Sequence, residues 1–131
     1  MPYLLDTDWL IEALKRREPA FGTLRRLTAG GVAISWVTVA EVYEGPFDSP
    51  NPQAQLSAIR HFLSGYRIFG LDDQIAERFA EIRADLRRRG ELLADLDLLI
   101  AATALAYDLI LLTLNRRHFE RVPDLKLYRL T

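Results

Sequence analysis

The stretch "DLDLLIAATALAYDLILLTLN", residues 95–115, decides the fold. Its first part, 95–108, reads as a helix that is apolar on most faces, and such a helix has to be buried. Its second part, "LILLTL" (109–114), is a short apolar run of strand length. Working outward, the same alternation recurs. Tyr3 to Leu5 reads as a buried strand and is followed by an amphipathic helix through about Lys15. Pro19 opens another helix in its first turn, and Gly30-Gly31 ends it. "VAIS" (32–35) is a second strand, and "TVAEVYEG" (38–45) a helix stopped by Gly45 and Pro46. "GPFDSPNPQ" (45–53) carries three prolines in nine residues and reads as a loop. A helix to about Leu63 and the strand "YRIFGL" (66–71) come next.

In "DDQIAERFAEIRADLRRRG" (72–90), Ile75, Phe79, Ile82 and Leu86 form one stripe at helical spacing. The acidic first turn, the terminal arginines Arg87 to Arg89 and Gly90 match the helix dipole and its stop. "LKLYRL" (125–130) is a short alternating strand. Strands alternating with helices across short turns predict an α/β fold: a three-layer α/β/α sandwich around a mostly parallel sheet of about five strands. Ligands of such a sheet gather beyond the carboxyl ends of the strands.

The 131 residues fit a single domain, 1–131. Half are apolar and 27% charged, an ordinary globular composition. No apolar run approaches the roughly 20 residues of a membrane span, and no basic region precedes the first apolar stretch, so neither a membrane anchor nor a signal peptide is expected. Cysteine is absent, which excludes disulfides and thiolate metal sites and makes the cytoplasm the expected compartment. Net charge is −1, so the whole-molecule field does not announce a nucleic-acid binder. Of 17 basic residues only Lys15 and Lys126 are lysines. Arginine suits phosphates and stacks on bases, although a GC-rich genome produces the same bias.

Three segments place oxygen side chains at strand ends or first helical turns: "LLDTD" (4–8), "SWVTVAE" (35–41) and "DLLIAATAL" (97–105), with "TLN" (113–115) a possible fourth. Each has an ordinary reading. Asp6 is a natural helix cap, Thr38-x-x-Glu41 is a capping box, and Asn115 is a turn residue. Asp97 is harder to dismiss, because Asp95 is the more natural cap for the apolar helix. Carboxylates converging in a cleft repel by roughly 3 kcal/mol per pair at about 5 Å and an effective dielectric near 20. A divalent cation removes that cost, and an all-oxygen set with no cysteine points to Mg²⁺ or Mn²⁺.

In this order, "LLDTDWLI", "SWVTVAEVYEG", "DLDLLIAATALAYD" and "LILLTLNRRHF" resemble the PIN domain, specifically the VapC-type toxins of prokaryotic toxin–antitoxin pairs. The resemblance runs from Leu4 to about Leu130. It implies a Mg²⁺- or Mn²⁺-dependent ribonuclease, usually a homodimer, held inactive by a cognate antitoxin. By position it assigns the three acidic ligands to Asp6, Glu41 and Asp97, and the fourth polar position to Asn115 with Thr113 beside it. Asp8 stands where the family carries a small residue, so Asp8 and Asp95 are either supporting carboxylates or helix-start charges. Asn115 in place of a fourth carboxylate lowers the negative charge and with it the grip on a second metal.

Arg116, Arg117 and His118 directly follow Asn115 and are expected near the cleft, where they contact RNA phosphates; Arg87 to Arg89 are a second strip, or a solvated helix end. Trp36, Tyr43, Glu44 and Phe47, beside the proline-rich loop, are the expected antitoxin contacts. His61 and His118 lack metal-ligand spacing. Two rivals stay open: a PIN-like binding module without catalysis, and a haloacid-dehalogenase-like phosphatase suggested by "DTD". The second lacks the mid-chain lysine its chemistry needs.

Overall fold

Four short strands form one parallel sheet: β1 (Tyr3–Leu5), β2 (Val32–Ser35), β3 (Arg67–Phe69) and β4 (Ile110–Leu112), in the spatial order β3-β2-β1-β4. The structure, a computed structural model, describes residues 2–130. Helices α1 (Thr7–Leu14), α2 (Ala20–Thr28), α3 (Trp36–Glu44), α4 (Pro52–Leu63), α5 (Asp73–Arg88), α6 (Asp95–Ala106) and the single turn α7 (Arg116–Phe119) complete the described chain.

The period of two along each strand divides the core between the sheet's faces. Leu4, Ala33 and Leu111, aligned in register, point to one face with Ile75, Ile82 and Leu86 of α5 and Leu98, Ala101 and Ala102 of α6. Leu5, Ile34 and Leu112 point to the other, with Trp9, Leu10 and Ala13 of α1, Leu24 of α2 and Val39 of α3. Burying each large side chain contributes about 1.5–3 kcal/mol. Helix α6 is covered on most sides because it lies beneath α5 and also touches α3 and β4, as its uniform apolarity requires.

Three expectations are corrected. The fifth strand is one parallel bridge, Leu111 to Leu127. Ile110 N–H and Leu112 C=O face the β1 side, bonding Pro2 and Asp6, so three-residue β4 offers only the N–H and C=O of Leu111 to its other neighbour. The proline-rich loop begins as a 3₁₀ turn, Gly45–Asp48, with Pro46 buried, and Pro52 already starts α4. Helix α3 starts two residues before Thr38: Ser35 caps it through Val37 N–H at 3.0 Å. The Thr38/Glu41 capping box is therefore not formed.

Candidate active site

Order β3-β2-β1-β4 makes β1 the switch point, since the chain leaves it toward β2 and later returns to its other side as β4. Crevices open at such points beyond the strands' carboxyl ends. Asp6 stands at that end of β1, directly after Leu5. Its backbone N–H is bonded to Leu112 C=O at 2.9 Å, continuing the β1–β4 ladder by one residue. Its side chain, only 5% exposed, caps α1 by accepting from Thr7 N–H at 2.9 Å on Oδ1, and accepts from Thr113 Oγ1 at 2.7 Å on Oδ2. Cap and site wall are thus one residue.

Around Asp6 the other oxygens arrive from separate elements. Asp8, in the first turn of α1, accepts from Leu114 N–H at 3.3 Å on both oxygens and anchors the segment after β4. Glu41 lies a full turn inside α3, and its Oε1 accepts from Thr7 Oγ1 at 2.6 Å. Asp97, in the first turn of α6, meets His118 Nε2 at 2.9 Å. Thr113 Oγ1 also accepts from Asn115 N–H at 3.1 Å, which leaves its one proton for Asp6.

Electrostatically the centre is strained in one direction. Burial, then the negative charge of Asp8, with a further contribution from Asp97, pushes the Asp6 carboxyl up to about 7; the bonds from Thr113 and Thr7 oppose this without cancelling it. Asp8 is also raised, chiefly by burial, against the bonds from Leu114 and Trp9 N–H. Among the described residues the pair of His118 with Asp97 touches this cluster, and no Arg or Lys neutralises Asp6, Asp8 or Glu41.

Hard oxygen donors around an unneutralised buried carboxylate fit Mg²⁺ or Mn²⁺ in chemistry. Among the described residues, however, no three such side chains already converge on one point. Asp97 is turned to His118 and Glu41 to Thr7. Both are only partly buried, Glu41 on α3 and Asp97 in the first turn of α6.

Other expected positions are distributed differently. Asp95 is not the cap of α6: Ala94 holds that position, and the exposed Asp95 pairs with Arg83 of α5 at 3.0 Å. The exposed Asn115 uses its backbone, and its carboxamide makes no hydrogen bond among the described residues. Arg116 is committed to Tyr128 C=O at 2.7 Å, whereas Arg117 is exposed. Trp36 and Phe47 are exposed and Tyr43 lies beneath Arg60. None of Trp36, Tyr43, Glu44 and Phe47 lines the apolar groove of about 790 Å³ whose walls include Ile11, Leu14, Phe21, Val42, Ile59 and Phe62.

Two contacts escaped the sequence reading. Thr7 joins Asp6 to Glu41, and its place between two aspartates was the available signal. His118 holds Asp97 across 21 residues of sequence, and no local pattern announces that pairing.

The PIN-domain model matches residues 3–125. Ribonuclease VapC2 of Haemophilus influenzae is 36% identical over 126 residues, covering 96% of each chain. The tRNA(fMet)-specific endonuclease VapC of Shigella flexneri is 32% identical, again over 96% of each. A solved VapBC2 complex from Rickettsia felis, bound to a DNA fragment from its promoter, contains a chain that superposes with a TM-score of 0.90 at 29% identity, covering 100% of both chains. From the family model's span, and from relatives this similar over nearly their whole length, it follows that the chain belongs to the PIN-domain family.

Proposed function

We propose that this chain is a divalent-metal-dependent endoribonuclease acting as the toxin of a toxin–antitoxin pair, with Asp6, Glu41 and Asp97 as metal ligands. One observation carries the reading: Asp6 is buried at the switch point with Asp8 and Asp97 close enough to raise it, and among the described residues no Arg or Lys pairs with Asp6 or Asp8. The ribonuclease and endonuclease names of the relatives support RNA as substrate, and the VapBC assembly of the structural neighbour supports an antitoxin partner.

Mg²⁺ or Mn²⁺, when bound, supplies a Lewis acid for a phosphate oxygen and lowers the pKa of a bound water. The protein's part is placement. Thr113 Oγ1 and Thr7 N–H fix both oxygens of Asp6, so its carboxylate enters the reaction already oriented. Thr7 Oγ1 holds Glu41 on the same side, and His118 holds Asp97. Asn115, with its carboxamide available, is placed to hold a water or a phosphate oxygen beside Thr113.

The test is cleavage of RNA by the wild-type chain with Mg²⁺ or Mn²⁺, with EDTA, and by the Asp6→Asn and Asp97→Asn variants. Activity lost with EDTA and in both variants is expected. Cleavage that survives all three overturns the assignment.

A further inference from the structure

We propose that the cleft of about 390 Å³ beside Thr113 is a nucleotide subsite, which receives one unpaired nucleotide of the RNA strand next to the carboxylates, with its phosphate against Arg117 and Arg129. This rests on the nuclease reading above and adds where the strand is held. The cleft lies between residues 113–117 and the C-terminal segment 128–130, and it opens directly from Thr113, whose hydroxyl is bonded to Asp6.

The cleft is braced. Arg116 donates to Tyr128 C=O at 2.7 Å and so ties one wall to the other. The Tyr128 ring packs edge-on against Trp9, with centroids 6.1 Å apart, and against Tyr3 at 5.9 Å. Trp9 is itself fully buried, its indole N–H donating to Ala20 C=O at 3.0 Å. Arg116 is thus spent on construction, and preorganised walls lower the ordering cost of binding.

Its chemistry suits a single-stranded nucleotide. The lining includes arginines from both walls and no carboxylate, although the acidic cluster begins next door. Arg117 and Arg129 are exposed, and neither is in an ion pair among the described residues. Leu114 and Leu130, 44% and 42% exposed, offer apolar faces to a base. Asn115 carries both a donor and an acceptor for a base edge. Recognition of RNA relies on unstacked bases held in this way, with guanidinium planes as stacking partners. A volume near 390 Å³ also falls within the roughly 300–1,000 Å³ of ordinary ligand pockets.

The experiment compares the wild type with Arg117→Ala, Arg129→Ala, the double variant and Arg129→Lys. Cleavage of a short single-stranded RNA gives kcat and KM; anisotropy of the labelled RNA in EDTA gives binding without cleavage. Each alanine is expected to raise KM and Kd about tenfold, to leave kcat within a factor of two, and to reduce the slope of log Kd against log salt by about 0.7. Arg129→Lys, which keeps the charge, should restore the slope. A double variant with wild-type KM, Kd and salt slope overturns the subsite, including the case where its only loss is in holding a partner protein. Should the wild type bind RNA and not cleave it, the nuclease reading fails, and the anisotropy series still decides the subsite. If it neither binds nor cleaves, both fall.

Discussion

Replacing Asp6 by Asn should stabilise the metal-free protein at neutral and alkaline pH. The carboxyl rises from an ordinary 3.8 to about 7 in the folded state, because it is buried and faces Asp8 and Asp97. At 1.36 kcal/mol per pH unit, ionised Asp6 works against folding by about 4 kcal/mol once the pH exceeds 7. The direction follows from proton counting. Between 3.8 and about 7 the folded chain binds more protons at Asp6 than the unfolded chain does, so stability falls as pH rises through that window. Below it the penalty is absent, and above it the penalty is complete. Asparagine keeps an oxygen for Thr7 N–H, and the Thr113 hydroxyl can turn to accept from the new amide.

Some of the gain is offset by imperfect geometry, so about 2–4 kcal/mol at pH 8 is expected, vanishing near pH 4. Urea unfolding in EDTA, from pH 4 to pH 8, measures both the gain and its loss. Added Mg²⁺ should stabilise the wild type by about 2.7 kcal/mol at a hundredfold excess over Kd and leave Asp6→Asn unmoved. An Asp6→Asn protein destabilised equally at all pH values would show that Asp6 is simply a structural cap and would refute the electrostatic account.

Thr113→Val removes the donor to Asp6 Oδ2 and the acceptor of Asn115 N–H in a buried setting. It should cost about 1–3 kcal/mol in urea unfolding and push the Asp6 titration further upward, since the Thr113 bond now holds it down. Gly90, after α5, has φ +68°, and a Cβ built there meets no atom within 4 Å. Gly90→Ala should therefore cost only the backbone strain of the left-handed region, about 1–2 kcal/mol, seen as a lower Tm with RNA cleavage unchanged below the melt.

Local chemistry made much of this chain legible. The α5 stripe, its Asp72 start and its glycine stop depend on residues within a turn or two of one another, and the helix runs as that pattern implies, Asp72 Oδ1 capping Ile75 N–H at 2.9 Å. "VAIS" is β2, residue for residue. The uniformly apolar α6 had to be buried, whatever covered it. The positions of Asp6 after β1 and of Asp97 in the first turn of α6 were readable because an α/β alternation marks those ends locally.

Tertiary packing decided the rest, and the reason is distance along the chain. Thr113 reaches Asp6 across 107 residues, Asp8 meets Leu114 across 106, and Thr7 meets Glu41 across 34. Periodicity carries no information at that range. A capping box at Thr38 was locally sensible, yet Ser35, the last residue of β2, took the cap and left Glu41 turned to Thr7. Arg116 and Arg117 were equivalent as sequence; only the nearby Tyr128 carbonyl made one a brace and left the other facing the cleft. Spacing placed oxygen side chains near the strand ends and left their roles open between caps, turns and a metal site. Which of them are buried, which are held by a neighbour, and which must titrate depended on solvent exclusion that exists only once the sheet and its helices have closed around Asp6.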